Sequence, residues 1–104
     1  MQQSTKKNLM YFYTMKVRND DLVKLNELKF DFLSPPYSFR LASIVVANID
    51  AAIAIMKKYV TEDNIYIEQL KQIKVAIESG TPDMPAIRQL CVEAAAIITY
   101  FTAV

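Results

Sequence analysis

Residues 38–60 read SFRLASIVVANIDAAIAIMKKYV. The polar residues Arg40, Ser43, Asp50 and Lys57 recur three, seven and seven positions apart, which on a helix draws one narrow strip. Ala47 and Ala54 fill the two vacant steps of that strip. From Leu41 to Met56 the remaining positions are Leu, Ile, Val, Ala or Met, with Asn48 the exception. A helix apolar over most of its circumference must be surrounded, by its own domain or by a partner chain.

The C-terminal stretch makes the same demand. From Ile87 it reads IRQLCVEAAAIITYFTAV, and its polar residues Arg88, Gln89, Glu93, Thr99 and Thr102 are thinly spread. Such a helix is expected to be too apolar for a surface. Between the two lies a conventionally amphipathic segment, with Tyr66, Leu70, Ile73 and Ile77 on one stripe and Glu68, Gln69, Lys71, Gln72 and Lys74 off it. Thr61 is the expected N-cap of this segment, with Glu62 and Asp63 at its positive end. Gly80 is expected to end it in the left-handed conformation. Asp83 can cap the last helix, with Pro85 in the first turn where its missing N–H costs nothing. These signals place helices near 38–60, 62–79 and 84–103.

The N-terminal third is less decisive. Residues 1–8 are polar and basic, and their start is expected to fray. Residues 9–17, LMYFYTMKV, form an apolar run too short for periodicity to separate strand from buried helix. Asn19-Asp20-Asp21 offers a turn or a cap. Across residues 22–33 a helical template places Leu22, Leu25, Leu28 and Phe32 on one face. The strand template fits Val23-Leu25 and Leu28-Phe30-Phe32, but the two pieces are out of phase around Asn26-Glu27, and a one-residue slip turns a strand over. Helix fits better; a β-hairpin over 9–33 is the alternative. Ser34-Pro35-Pro36-Tyr37 is the clearest break, because each proline disfavours helical geometry in the residue before it. It reads as an interhelix loop, since a proline–proline–any–tyrosine ligand motif would need Tyr at position 38, which is Ser.

With 104 residues there is no room for two cores. The expected fold is an all-α bundle of four to five helices in one domain, 1–104, with an N-terminal unit 1–34, a proline hinge at 35–36 and a helical bundle 37–104. A hairpin over 9–33 would make it α+β. The single glycine speaks against sheets, which generally need more of it for their turns.

Chemistry is constrained by what is missing from the sequence. Without histidine there is no Ser-His or Cys-His nucleophile pair, no His-ligated zinc and no imidazole base. One cysteine and one glycine leave no usual structural zinc set and no phosphate-cradling loop. Glu62 and Asp63 are adjacent carboxylates that helix capping already explains. The expectation is a non-enzymatic protein with no catalytic residue, cofactor or metal. Cys91 reads as a buried small hydrophobe. Being alone it forms no intrachain disulfide, which with the lack of a signal-peptide pattern points to the cytoplasm. The apolar run 41–56 is interrupted by Asn48 and Asp50, and 94–104 is about half of the ~20 residues of a membrane span, so none is expected.

Charge and apolar excess direct the functional expectation. Residues 1–40 carry net +3 and residues 41–104 net −2, and the first eighteen contain Lys6, Lys7, Lys16 and Arg18 but no acid. Two nearly all-apolar helices would consume most of the burial capacity of a domain this size, leaving an apolar face that a second copy could cover. The expected interface is Ile44, Asn48, Ala52, Ile53, Ile97, Tyr100 and Phe101, with Asn48 pairing across a dimer seam or bonding a backbone carbonyl. The functional expectation is therefore a small homo-oligomeric (dimeric) interaction protein acting as adaptor, chaperone or stoichiometric inhibitor on a protein partner. The alternative is a nucleic-acid-binding accessory protein that uses Lys6, Lys7, Tyr11, Tyr13, Lys16 and Arg18, since cations interleaved with rings suit single strands.

Overall fold

The computed structural model describes residues 17–34, 41–80 and 83–103. Among them are four helices and no strand: α1 (Asn19–Leu33), α2 (Leu41–Met56), α3 (Ile65–Glu78) and α4 (Met84–Thr102). The all-helical bundle agrees with expectation. The hairpin alternative does not hold, because α1 runs unbroken through Asn26-Glu27, where the strand phase fails. Its buried face is Asp21, Leu25, Leu28 and Phe32, so a carboxylate takes the inward place expected of Leu22, which is half-buried.

Each helix end has an identifiable local cause. Asn64, not Thr61, caps α3: its side-chain oxygen accepts from the Tyr66 N–H at 2.9 Å. The Thr61 hydroxyl instead donates to Asp63, inside the turn that precedes the helix. At the other end Ser79 keeps right-handed geometry, its N–H bonding the Val75 carbonyl at 2.8 Å. Gly80 does not take a positive φ, so the expected left-handed stop is not used there. Asp83 caps α4 as expected, accepting from the Ala86 N–H at 3.0 Å, with Pro85 in the first turn. Beyond α2 the chain tightens: the Lys58 N–H bonds the Ile55 carbonyl and the Tyr59 N–H the Met56 carbonyl, which turns residues 58 and 59 toward α1.

The helices pack in the cyclic order α1, α2, α3, α4, with α2 also touching α4 across the middle. Consecutive helices run antiparallel. Asp21 at the start of α1 meets Lys58 just beyond α2, and Tyr66 at the start of α3 meets Phe101 at the end of α4, ring edge to face with centroids 6.1 Å apart. One shared core holds Leu25, Leu28 and Phe32 from α1, Val45, Ile49, Ala52 and Met56 from α2, Ile67, Leu70, Ile73 and Ile77 from α3, and Ile87, Cys91, Ala94, Ile98 and Phe101 from α4. On α3 the most deeply buried early position is Ile67, with Tyr66 only half-covered.

This arrangement answers the demand made by the apolar α2. Among its described side chains the exposed ones are Ser43, Ala47, Asp50 and Ala54, continued by Lys57 just beyond the helix; they follow the strip drawn by the sequence, whose Arg40 lies outside the described residues, and α1, α3 and α4 all pack against α2. Helix α4 differs from expectation. It keeps a solvent face of Arg88, Gln89, Val92, Glu93, Ala96, Thr99 and Tyr100. Exposing small side chains such as Ala and Thr costs little transfer energy, so an apolar-looking composition did not require burial all round. None of the four helices is long and apolar enough to cross a membrane.

Candidate interaction surface

The first turn of α1 carries Asp20 and Asp21, where the helix dipole favours negative charge. Asp20 accepts from the Asp21 N–H at 2.9 Å, and Asp21 turns inward. Its carboxylate accepts from the Tyr59 hydroxyl and from the Lys58 ammonium at 3.1 Å, while the Tyr59 oxygen accepts from the Arg18 N–H at 3.2 Å. The Tyr59 hydrogen bond, then Lys58, hold the Asp21 carboxyl below the usual carboxylate range. Burial, then the Asp21 carboxylate, push the Tyr59 phenol above its ordinary value. The carboxylate stays ionised and the phenol protonated at neutral pH. A general acid or base needs a group poised near the working pH, and this pair is tuned the opposite way. The cluster is a tie between the start of α1 and the turn after α2.

The remaining ion pairs lie on the surface. Lys57 meets Glu62 at 2.7 Å, Lys71 meets the same carboxylate at 3.8 Å, and Lys74 meets Asp50 at 2.8 Å. Lys57 lowers the Glu62 pKa, and Asp50 raises that of Lys74. Exposed pairs of this kind contribute little to stability. Glu62 is thus engaged by lysines and Asp63 by Thr61, and among the described residues no group of three or more potential metal ligands converges. Cys91 is buried, and burial pushes its thiol pKa up, with Arg88 partly opposing.

Among the residues expected at an oligomer interface, Ala52, Ile53, Ile97 and Phe101 are buried within the protomer, Ile44 and Asn48 are half-buried, and Tyr100 is 63% exposed. The fold therefore gathers most of that set into its own core. Among the described residues no buried side-chain polar atom lacks a hydrogen bond, so Asn48 does not require a symmetry mate. In the expected basic segment, Arg18 is exposed and 3.6 Å from Asp20. Lys6, Lys7, Tyr11, Tyr13 and Lys16 lie outside the described residues.

Large apolar side chains are exposed on three helices: Ile65 and Val75 on α3, Met84, Val92 and Tyr100 on α4, and an aligned set on α1. Val23, Phe30 and Leu33 are 57%, 66% and 51% exposed. With Asn26 they follow a three-four-three spacing, and at 3.6 residues per turn they fall within roughly 80° of one another, opposite Leu25, Leu28 and Phe32. Helix α1 is thus apolar on two faces. The inner face is in the core and the outer face is in water. Sequence reading missed the outer stripe because Val23 and Phe30 also satisfy the strand template; the signal was a second heptad-like spacing offset from the first. Two shallow open grooves flank α3, one lined by Val46, Asp50 and Ile77 and the other by Gln72, Glu93 and Ile97, and neither includes the α1 stripe.

No protein-family model matches the sequence, and searches of curated proteins and of solved structures found no significant match.

Proposed function

We propose that this chain is a non-catalytic helical protein that acts through protein–protein contact, self-association included, in the manner of an adaptor, chaperone or stoichiometric inhibitor. The observation that carries this reading is the outward stripe Val23–Phe30–Leu33, three large apolar side chains each more than half exposed on one helix face. Scattered surface apolar residues need no explanation, but an aligned set does.

The burial of Ala52, Ile53, Ile97 and Phe101 changes the strength of association to expect. A dimer through those four residues would have to open the core, whereas one through the α1 stripe uses surface already presented. A single helix face is small, so the complex belongs to the weak, reversible class. Sedimentation equilibrium from about 10 µM to about 1 mM spans that class. The reading expects a mass of 11.9 kDa at the low end, rising toward twice that value, and loss of the rise in Phe30→Glu with an unchanged circular dichroism spectrum. A mass that never departs from that of the monomer would refute self-association.

A further inference from the structure

We infer that the tie from Tyr59 and Lys58 stands in for the N-cap that α1 lacks, so that the first turn of α1 opens as a unit separate from the rest of the helix, with the Tyr59 hydroxyl setting how often it opens. This holds whether or not the outer stripe of α1 meets a partner.

A helix start leaves backbone N–H groups without partners inside the helix, and a Ser, Thr, Asp or Asn at the N-cap ordinarily accepts from one of them. In α3 and α4 that residue is Asn64 or Asp83. In α1 the position belongs to Arg18, whose backbone is extended as a cap requires. Its side chain has donors only, and it makes no capping bond. The bonds that fasten this end to the bundle come instead from the turn after α2. The Tyr59 oxygen accepts from the Arg18 N–H, and the Tyr59 hydroxyl and Lys58 ammonium donate to Asp21.

Burial divides the helix at the same place. Of residues 19–24 only Asp21 is buried, while Leu25, Leu28 and Phe32 beyond them belong to the core. Ahead of the helix, half-buried Val17 packs on the core, as does the ring of Tyr59. A segment with few buried apolar contacts and partly exposed hydrogen bonds opens at lower free energy than the whole fold. Because the Tyr59 ring is held by packing and only its hydroxyl makes the tie, the two roles can be separated by removing one oxygen.

The test is native-state hydrogen exchange of the full chain, read by NMR with and without sub-denaturing urea. The reporters are the amides of Leu22, Val23 and Lys24, whose acceptors are the carbonyls of Arg18, Asn19 and Asp20. They should exchange through an opening insensitive to urea. The amides from Leu28 to Phe32 should exchange more slowly and accelerate with urea, because their opening exposes much more surface. Tyr59→Phe keeps the ring and should speed exchange at residues 22–24 about tenfold, the effect of losing a hydrogen bond to a charged group. Arg18→Ser supplies a local cap and should slow it about fivefold, in the wild-type chain and in Tyr59→Phe alike. Asn64→Ala, which removes the cap of α3, should leave residues 22–24 unchanged. Circular dichroism confirms the fold of each variant. Equal rates and equal urea dependence along the whole of α1 would overturn the separate opening, as would a response of residues 22–24 to Asn64→Ala. No response to Tyr59→Phe would overturn the role of the tie, and no slowing by Arg18→Ser would overturn its standing in for a cap.

Discussion

Phe30 and Phe32 are chemically identical, two residues apart on α1, and 66% and 1% exposed. Truncating each to alanine separates the two faces of the helix. Fully burying a phenylalanine side chain is worth about 1.5–3 kcal/mol, so Phe30, about one-third covered, contributes roughly 0.5–1 kcal/mol. Alanine's better helix propensity returns about half a kcal/mol, leaving Phe30→Ala nearly neutral. Phe32→Ala removes a ring from the packed interior and leaves a cavity, which costs ~3–5 kcal/mol. At about 4–8 °C per kcal/mol for a domain of this size, Phe32→Ala should lower Tm by more than ~12 °C and Phe30→Ala by less than ~5 °C. The assay is thermal and urea unfolding followed by circular dichroism at about 5 µM, a concentration at which a contact of this size is dissociated. If Phe32→Ala does not fold, Phe32→Leu supplies a milder core variant. Equal losses at the two positions would refute the reasoning, since residues two apart share a face only in a strand.

The Asp21 tie predicts a definite pH dependence. Its folded pKa lies below the unfolded value near 3.8, so its contribution is complete above that value and is lost as pH falls through the lower, folded one. Urea midpoints measured from neutral pH down to about 2 should show Asp21→Asn and Tyr59→Phe less stable than wild type at neutrality and converging with it in acid; a gap that is constant with pH would refute the tie. Cys91 should resist alkylation by iodoacetamide at neutral pH in the folded protein and react in urea, since its thiol is buried with a raised pKa; rapid native-state labelling would refute its placement. Asn64→Ala should cost about 1 kcal/mol by removing the α3 cap, against a few tenths for Thr61→Ala, measured by urea unfolding, and the reverse order would restore Thr61 as the cap. If Lys6, Lys7, Lys16 and Arg18 contact a polyanion, generic DNA should bind with a steep log–log salt dependence that their joint replacement by Gln abolishes; absence of binding at low salt removes that alternative.

How much of this could be read from the sequence varies with the kind of information each element needed. The exposed strip of α2 was legible position by position, because polar residues at helical spacing report the solvent side directly. What covers the rest of α2 was not, since an all-apolar circumference states that neighbours exist without saying whose they are. The inward turn of Asp21 was invisible for a related reason: Lys58 and Tyr59, which make its burial tolerable, are 37 and 38 residues away. On α4 composition misled. Thr99 and Thr102 bond their hydroxyls back to the Ala95 and Ile98 carbonyls, so Thr99 sits exposed and Thr102 half-exposed without signalling it as a charged residue would.

The outer stripe of α1 is a harder case, because there the sequence is ambiguous in principle. A periodic template finds apolar residues that share a face, and α1 has two such faces carrying comparable side chains, Leu25, Leu28 and Phe32 on one and Val23, Phe30 and Leu33 on the other. Nothing local ranks Phe32 above Phe30 for the interior. The choice is made by α2 and α4, which pack on one side of α1, and by the Asp21–Tyr59–Lys58 tie, which fixes the rotation of α1 about its own axis. Once that rotation is set, the second apolar face must point outward. The residues proposed to meet a partner thus become identifiable only after the core is known. They are the apolar residues that a single α1 could not also bury.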